Sequence, residues 1–335
     1  MKKDFAILIF FAVIGLIVYA FSFYIPKEVH EFASRLNQTS PEGIIGLSDK
    51  RKNLLLEFDD FFLNHDLPRV RDQYLTFEFP YLYQYKLLNI KLDKILEEIS
   101  SVSIKDKQLK LWYVYNMGVV VKSKDKTLCF DLSAVVPNKK MSEIAQHCDL
   151  LFISHEDGDH YSNPVIKSAL NAGRTVIVGK DEIGYLEQKT RQLSKKGQVV
   201  SVAHKQSMDI SGIRVKAFAT THRGSRGKAN FWFLVEAEGR KILHTGDGLI
   251  DDKNTEVGKV DVVLMNEYLP LEYFYWLPVD TIIPLHLHEM AHSKSFYLQA
   301  NYGEYLKKYE EHTKKVPDAG KMKHILLFWG ESLDI

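Results

Sequence analysis

Apolar and polar positions follow two different periods along this chain, and the change between them divides it. Within residues 25–107, KNLLLEFDDFFLNH (52–65) and YKLLNIKLDKILEEISS (85–101) repeat apolar residues at helical spacing, with acids and lysines between them. A mainly helical extension is predicted there. From Gln108 the runs shorten to LKLWYVYN, GVVVKS, TLCFDLS, DLLFISH, RTVIVG, QVVSVA, IRVKAFATTH, NFWFLVEAEG, KILHTG, VDVVLMN, TIIPLHLH and HILLFWG, which read as strands. MSEIAQH, PVIKSALNAG and EIGYLEQKTRQLSKK read as helices between some of them. Strands mixed with helices predict an α/β layered domain over 108–335, two sheets covered by helices. No internal repeat of fixed period and no low-complexity linker interrupts the chain.

The N-terminus has a different pattern. Lys2 and Lys3 precede Phe5–Tyr24, a run without a charge. At ~1.5 Å rise per residue a helix of that length covers about 30 Å, a full hydrocarbon core. Residues 1–24 are therefore expected to be a transmembrane signal anchor, residues 5–24 forming the membrane contact. The leading lysines would keep the N-terminus cytoplasmic and set the rest of the chain on the far side. A cleaved signal peptide, followed by secretion, is the rival, because Val18-Tyr19-Ala20 offers small-to-medium residues where such cleavage occurs. Asn37-Gln38-Thr39 fits a glycosylation acceptor, which matters only in a secretory pathway.

Composition narrows the function classes. The 335 residues suffice for a large domain with an extension, and 44 Lys+Arg against 43 Asp+Glu leave a formal charge of +1. No global electrostatic case for nucleic acid follows. Cys129 and Cys148 are too few for a disulfide framework or a cysteine-based zinc site; they read as two core thiols, with one optional disulfide as the alternative. The aromatic stretch YLTFEFPYLYQY (74–85) reads as packing for the extension, or as a rim for an apolar, lipid-like substrate.

The chemistry-bearing residues recur at strand ends. Asp131 follows TLCF, His155-Glu156-Asp157-Gly158-Asp159-His160 follows LLFIS, His222 follows KAFATT, Asp247 follows KILHTG, and His286 follows TIIPL. Side chains at the carboxyl ends of adjacent strands can converge from distant positions. So much charge against apolar strands is costly unless neutralised, and a divalent metal does this efficiently.

The segment 108–330 resembles the metallo-β-lactamase superfamily, closest to the branch with ascorbate-phosphate lactonases and the N-acyl-phosphatidylethanolamine-hydrolysing phospholipase D. The resemblance rests on CFDLS, SHEDGDH, ATTHRG, HTGDG and IPLHLH, in the family's order. It implies a four-layer αβ/βα sandwich holding two divalent ions. His155, Asp157 and His222 would take one ion; Asp159, His160 and His286 the other, with Asp247 bridging. Asp157 departs from the family's His-x-His-x-Asp-His, giving the His-x-Asp-x-Asp-His form of some relatives. Zinc is the expected metal, and a set with one carboxylate in place of an imidazole also suits Mn²⁺ or Fe²⁺. The implied chemistry is hydrolysis by a metal-bridging hydroxide oriented by Asp159 as the catalytic residue, on a phosphodiester or other ester-like bond.

Further residues carry weaker expectations. Asp131 reads as holding a ligand or a loop, and His244 as supporting Asp247 or as a structural strand residue. One of His288, Glu289 and His292 could protonate a leaving group or touch substrate, against the alternative of plain surface placement. Arg223, Arg226 and Lys228 could meet a phosphate, or form a solvated turn. The loops 161–163 and 269–278 flank the site in sequence, the second carrying Tyr273, Phe274, Tyr275 and Trp276. The leading expectation is a membrane-anchored metal-dependent hydrolase of a small-molecule or lipid-like substrate. A non-catalytic membrane-tethered interaction module that keeps the fold is the alternative, motivated by Asp157. A nuclease stands third, opposed by the near-neutral charge and the lack of a basic stripe.

Overall fold

The computed structural model describes residues 27–64, 82–133, 138–222, 229–249, 257–271, 277–288, 301–315 and 322–335. The protein is an α/β sandwich of two mixed sheets with helices, as the interleaved pattern predicts. A 7-stranded sheet runs β16 (Ser332–Asp334), β2 (Lys110–Tyr115), β3 (Gly118–Lys122), β4 (Thr127–Phe130), β5 (Leu150–Ile153), β6 (Thr175–Gly179), β7 (Gln198–Val202). A 9-stranded sheet runs β1 (Glu42–Gly43), β15 (Lys323–Leu326), β14 (Val279–Leu285), β13 (Val260–Asn266), β11 (Arg240–His244), β10 (Ala229–Ala237), β9 (Ile213–His222), β12 (Gly248–Leu249), with β8 (Ser207–Ile210) paired to β9.

Strands β4 to β7 are mutually parallel. Their crossovers are α4 (Lys139–His147), α5 (Asn163–Asn171) and α6 (Tyr185–Arg191). Parallel strands covered on both faces need continuous apolar runs, and β5 is buried at every position of Leu-Leu-Phe-Ile. Asn138 starts α4 by accepting from the backbone N–H of Lys140 and Met141. Asp181 accepts from the N–H of Tyr185 and Leu186, so α6 begins later than EIGYLEQKTRQLSKK suggests. In the other sheet β11, β13, β14 and β15 are parallel. In both sheets, parallel neighbours bring their carboxyl ends to a common edge.

Between the sheets, Phe130 stacks on Phe152 at 4.7 Å, and Phe152 meets Phe233 at 5.4 Å. Gly179 gives its space to the Phe231 ring, which a Cβ there would overlap. Rings from β4, β5 and β10 thus form the core beneath the strand ends.

Within the predicted extension lie α1 (Lys27–Leu36), α2 (Asp49–Asn64) and α3 (Leu82–Ser101). Arg51 and Asp59 tie α2 to the sandwich from buried positions. Arg51 of α2 makes two 2.6 Å bonds to Glu331 and one of 2.8 Å to the Leu326 carbonyl. Asp59 of α2 accepts from the N–H of Tyr302 at 3.0 Å and of Gly303 at 2.8 Å, at the start of α7 (Tyr302–Lys315). Two residues of the extension even enter the larger sheet as β1. Helix α7 is not among the predicted elements: its buried face is Tyr302, Tyr305, Leu306, Tyr309 and His312, all but Leu306 polar-tipped, which hides the helical period.

Two sequence expectations are corrected. Cys129 in β4 and Cys148 at the end of α4 are joined in a disulfide, Cα atoms 5.7 Å apart, and are not separate core thiols. The crossover from β4 brings them within bridging distance. As for the single-pass anchor, no helix among the described residues is long and apolar enough to cross a membrane. Residues 1–24 lie outside the described residues. The membrane localisation, with its far-side placement of the domain, is withdrawn.

Candidate metal centre

The strand ends bring the seven expected ligands into two adjacent groups. His155 and His160 follow β5; His222 ends β9; Asp247 follows β11; His286 follows β14. Potential donor atoms of Asp159, His160, Asp247 and His286 lie within 4.8 Å of one another, as do those of His155, Asp157 and His222. The His155 and His160 rings are 4.0 Å apart, and His155 and His222 are 4.7 Å apart.

Hydrogen bonds behind the rings fix which nitrogen faces the cluster. His160 Nδ1 donates to Asp131 Oδ2 at 2.7 Å. Ser154 donates its backbone N–H and its hydroxyl to the same carboxylate. A carboxylate only accepts, so the Ser154 hydroxyl proton is engaged there, and at 2.9 Å its oxygen accepts the Nδ1 proton of His155. Both Nε2 atoms therefore face the cluster, and among the described residues both are buried without a hydrogen-bond partner. His160 Nε2 lies 3.2 Å from Asp159 Oδ2 and from Asp247 Oδ1, and His155 Nε2 lies 3.6 Å from Asp157 Oδ2. Nitrogen lone pairs and carboxylates crowded around shared space, with the far nitrogens held by Ser154 and Asp131, fit a cation.

The electrostatics agree. Burial opposes the charge on His160, yet Asp247, Asp159 and Asp131 outweigh it and raise its pKa well above the ordinary value. His155, pressed by burial and by His160, is lowered. Asp159 and Asp247 are held below the usual carboxylate range, where His160 and His286 overcome their burial. The centre concentrates negative charge in little water, the condition a divalent ion relieves.

Three asparagines escaped the sequence reading. Asn116, between β2 and β3, donates Nδ2 to Asp159 Oδ2 at 3.1 Å, and its carbonyl accepts the His286 N–H at 3.0 Å. Asn266, ending β13, donates to Asp247 Oδ1 at 2.6 Å, and Asn230 in β10 accepts the Asp247 N–H at 3.1 Å. A lone asparagine at a turn or strand end is ordinary turn chemistry, so no sequence signal marks it. The backbone is unusual at the same places: Asn116 (φ 53°), Asp131 (φ 40°) and His286 (φ 66°) are left-handed. Such conformations cost on the order of 1–3 kcal/mol each and gather where a site over-determines them. Gly248 is needed for close approach, since a Cβ would strike Thr220 and Asn230.

The other expected residues fall elsewhere. Asp131 is buried behind His155 and His160, orienting His160 directly and His155 through Ser154. His244 does not bond Asp247; it donates Nε2 to the Met117 carbonyl at 2.9 Å and accepts the Gly246 N–H at 3.3 Å, steadying the turn before Asp247. His288 is neither at the surface nor beside the ligands: it is buried and meets Asp59 of α2 at 2.6 Å. Tyr161 is buried against α6, under Lys189. Arg223, Arg226, Lys228, Tyr273, Phe274, Tyr275, Trp276, Glu289 and His292 lie outside the described residues, as does most of 74–85.

Residues 110–268 match the family model described as a beta-lactamase superfamily domain. The strand order and the His/Asp cluster lie within and around that matched segment. Among solved structures the chain is similar to Igni18, a metallo hydrolase from the hyperthermophilic archaeon Ignicoccus hospitalis KIN4/I. That match has 16% identity and a TM-score of 0.51, covering 68% of this chain and 98% of that one. It is also similar to CmlA, a diiron beta-hydroxylase from Streptomyces venezuelae, at 15% identity and a TM-score of 0.53. There 69% of this chain matches 54% of the other. Identities at this level carry the fold alone. No curated protein matches the chain.

Proposed function

We propose that this chain is a metal-dependent hydrolase of a phosphodiester or other ester-like bond. His155, Asp157 and His222 hold one divalent ion; Asp159, His160 and His286 hold a second; Asp247 lies between them. The single observation carrying the reading is the pair of buried, unpartnered Nε2 atoms of His155 and His160, each aimed at carboxylate oxygens. Asp247 suits the shared position, its Oδ1 3.2 Å from His160 Nε2 and its Oδ2 3.9 Å from His222 Nε2.

Two divalent ions, when bound, supply Lewis acidity that activates water and polarises a carbonyl or phosphoryl oxygen. The protein's own groups do the rest. Asp159, fixed by Asn116, orients an attacking water. Asp131 and Ser154 keep the His155 and His160 rings from turning. Zinc fits these donors, and Asp157 extends the range to manganese or iron. The finer reading, a phosphodiesterase or lactonase acting on a small molecule, rests on the ordered ligand set; a lipid-like substrate rests on the aromatic-rich segments.

The test is elemental analysis of purified protein, together with hydrolysis of bis(p-nitrophenyl) phosphate, a lactone and an amide in added Zn²⁺, Mn²⁺ or Fe²⁺. Stoichiometric metal, and hydrolysis lost in Asp159→Ala, is the expected result. Protein without stoichiometric metal, hydrolysing equally well as Asp159→Ala, overturns the reading.

A further inference from the structure

A cleft of about 760 Å³ lies beside the His155–Asp157–His222 end of the centre, within the size range of small-molecule sites. Its inner wall includes Glu156, next to both His155 and Asp157, and Thr221, next to His222. The Asp157 side chain is 25% exposed, against 15% for Asp159 and Asp247.

The cleft lining mixes apolar and charged residues. Phe231 and Leu186 are buried lining residues, and Ile183 and Tyr185 stand at the rim, 77% and 47% exposed. Two of the lining acids are already engaged. Asp181 caps α6, and Glu156 lies 3.6 Å from Lys189 Nζ. Glu182 is exposed, as are Lys180 and His204.

Lys180 and His204 supply donors. Lys180 follows the last residue of β6 and His204 lies just past β7, and Gly179 pairs with Val202, so the two positions are neighbours. His204 Nδ1 accepts the Ala219 N–H at 3.0 Å, which leaves the proton of the neutral ring on Nε2 as a donor. Adjacent strands are ~4.8 Å apart, so β7 ends about 10 Å from the end of β5, where His155 sits.

We propose that this cleft selects substrates whose scissile ester-like bond is joined to an apolar arm ending in an acidic group. The arm spans about 10 Å from the metal centre, and its anionic end is received by Lys180 and His204. The proposal rests on the hydrolase reading for the bond that breaks, and adds to it the chemical class of what is attached.

The test uses the full chain loaded with Mn²⁺ or Zn²⁺ and two p-nitrophenyl esters with arms of matched length, the octanoate and the mono-ester of octanedioate. A kcat/KM ratio favouring the carboxylate-ended arm by about tenfold is expected, the effect of one charge-assisted hydrogen bond. Lys180→Ala and Lys180→Glu, both changes at an exposed position, bring that ratio to one or below. Calorimetric titration with octanedioate gives a readout independent of turnover: about tenfold weaker binding to Lys180→Ala than to the parent. Equal turnover of the two esters, or octanedioate binding unchanged by Lys180→Ala, overturns the proposal. If neither ester nor bis(p-nitrophenyl) phosphate is hydrolysed, the hydrolase reading fails by itself, and the titration still decides the cleft.

Discussion

Asp131 Oδ2 accepts the Nδ1 proton of His160 at 2.7 Å, from a position where it is fully buried. Through the Ser154 hydroxyl the same carboxylate also sets the His155 ring. One acid thus aims two imidazoles, one in each donor group, and leaves both Nε2 atoms as ligands. Asp131→Asn removes the charge and the double acceptor without emptying the space. Metal affinity is expected to fall roughly 10–100-fold, as for other groups that orient a ligand. Competition with a chromophoric chelator measures it. Unchanged affinity would show that Ser154 suffices alone.

Asp157 is the one carboxylate in its donor group with His155 and His222, and its Oδ2 lies 3.2 Å from His222 Nε2. An oxygen donor favours harder ions, so Asp157→His should shift selectivity toward Zn²⁺ over Mn²⁺ while both ions are retained. Equilibrium competition between the two metals, read by elemental analysis, reports the ratio. The complementary change, Asp157→Ala, is expected to lower the content toward one ion per chain, because Asp159, His160, Asp247 and His286 remain together.

Much of this centre was legible in the sequence because its parts are chemically conspicuous. Histidines and aspartates directly after apolar runs stand out, and parallel strands carry them to a common edge. Asn116, Asn230 and Asn266 were illegible for the opposite reason: an asparagine at a turn needs no special role, and its service to Asp159 or Asp247 exists only after folding. Helix α7 was hidden by a buried face made largely of tyrosines. His288 was misjudged because sequence adjacency to His286 says nothing of the left-handed turn at both residues (φ 66° and 57°), beyond which His288 meets Asp59. The pairing of Cys129 with Cys148 needed the path of α4, which composition cannot supply.

The ion pair between Arg51 and Glu331 joins α2 to the C-terminal segment with both side chains nearly excluded from water. Arg51 also lies over the Phe328 ring at 4.2 Å. Removing one partner strands a buried charge, so Glu331→Gln is expected to lower stability by roughly 3–5 kcal/mol. The double change Arg51→Met with Glu331→Leu should cost less than the single one, since no charge is left unpaired. Urea denaturation of the three proteins measures the order. A single variant as stable as the parent would mean water reaches the pair.

His324 in β15 is buried between Tyr305, whose hydroxyl lies 3.0 Å from its Nδ1, and the Tyr309 ring at 4.6 Å. Burial, with a smaller push from His312, lowers its pKa from 6.5 to about 4. In the folded protein the ring therefore stays neutral between those values, whereas in the unfolded chain it takes up a proton as pH falls below 6.5. The unfolded state binds more protons across that window, so acidification destabilises the fold. The contribution is fully present above pH 6.5 and is lost as pH falls toward 4. His324→Phe keeps a ring in the space and removes the titration. Its stability at pH 7 should be lower than the parent's for want of the Tyr305 contact, but its decline between pH 6.5 and 4.5 should be shallower. Urea midpoints at several pH values give both slopes, and parallel slopes would mean that His324 takes up its proton in the folded state as it does in the unfolded chain.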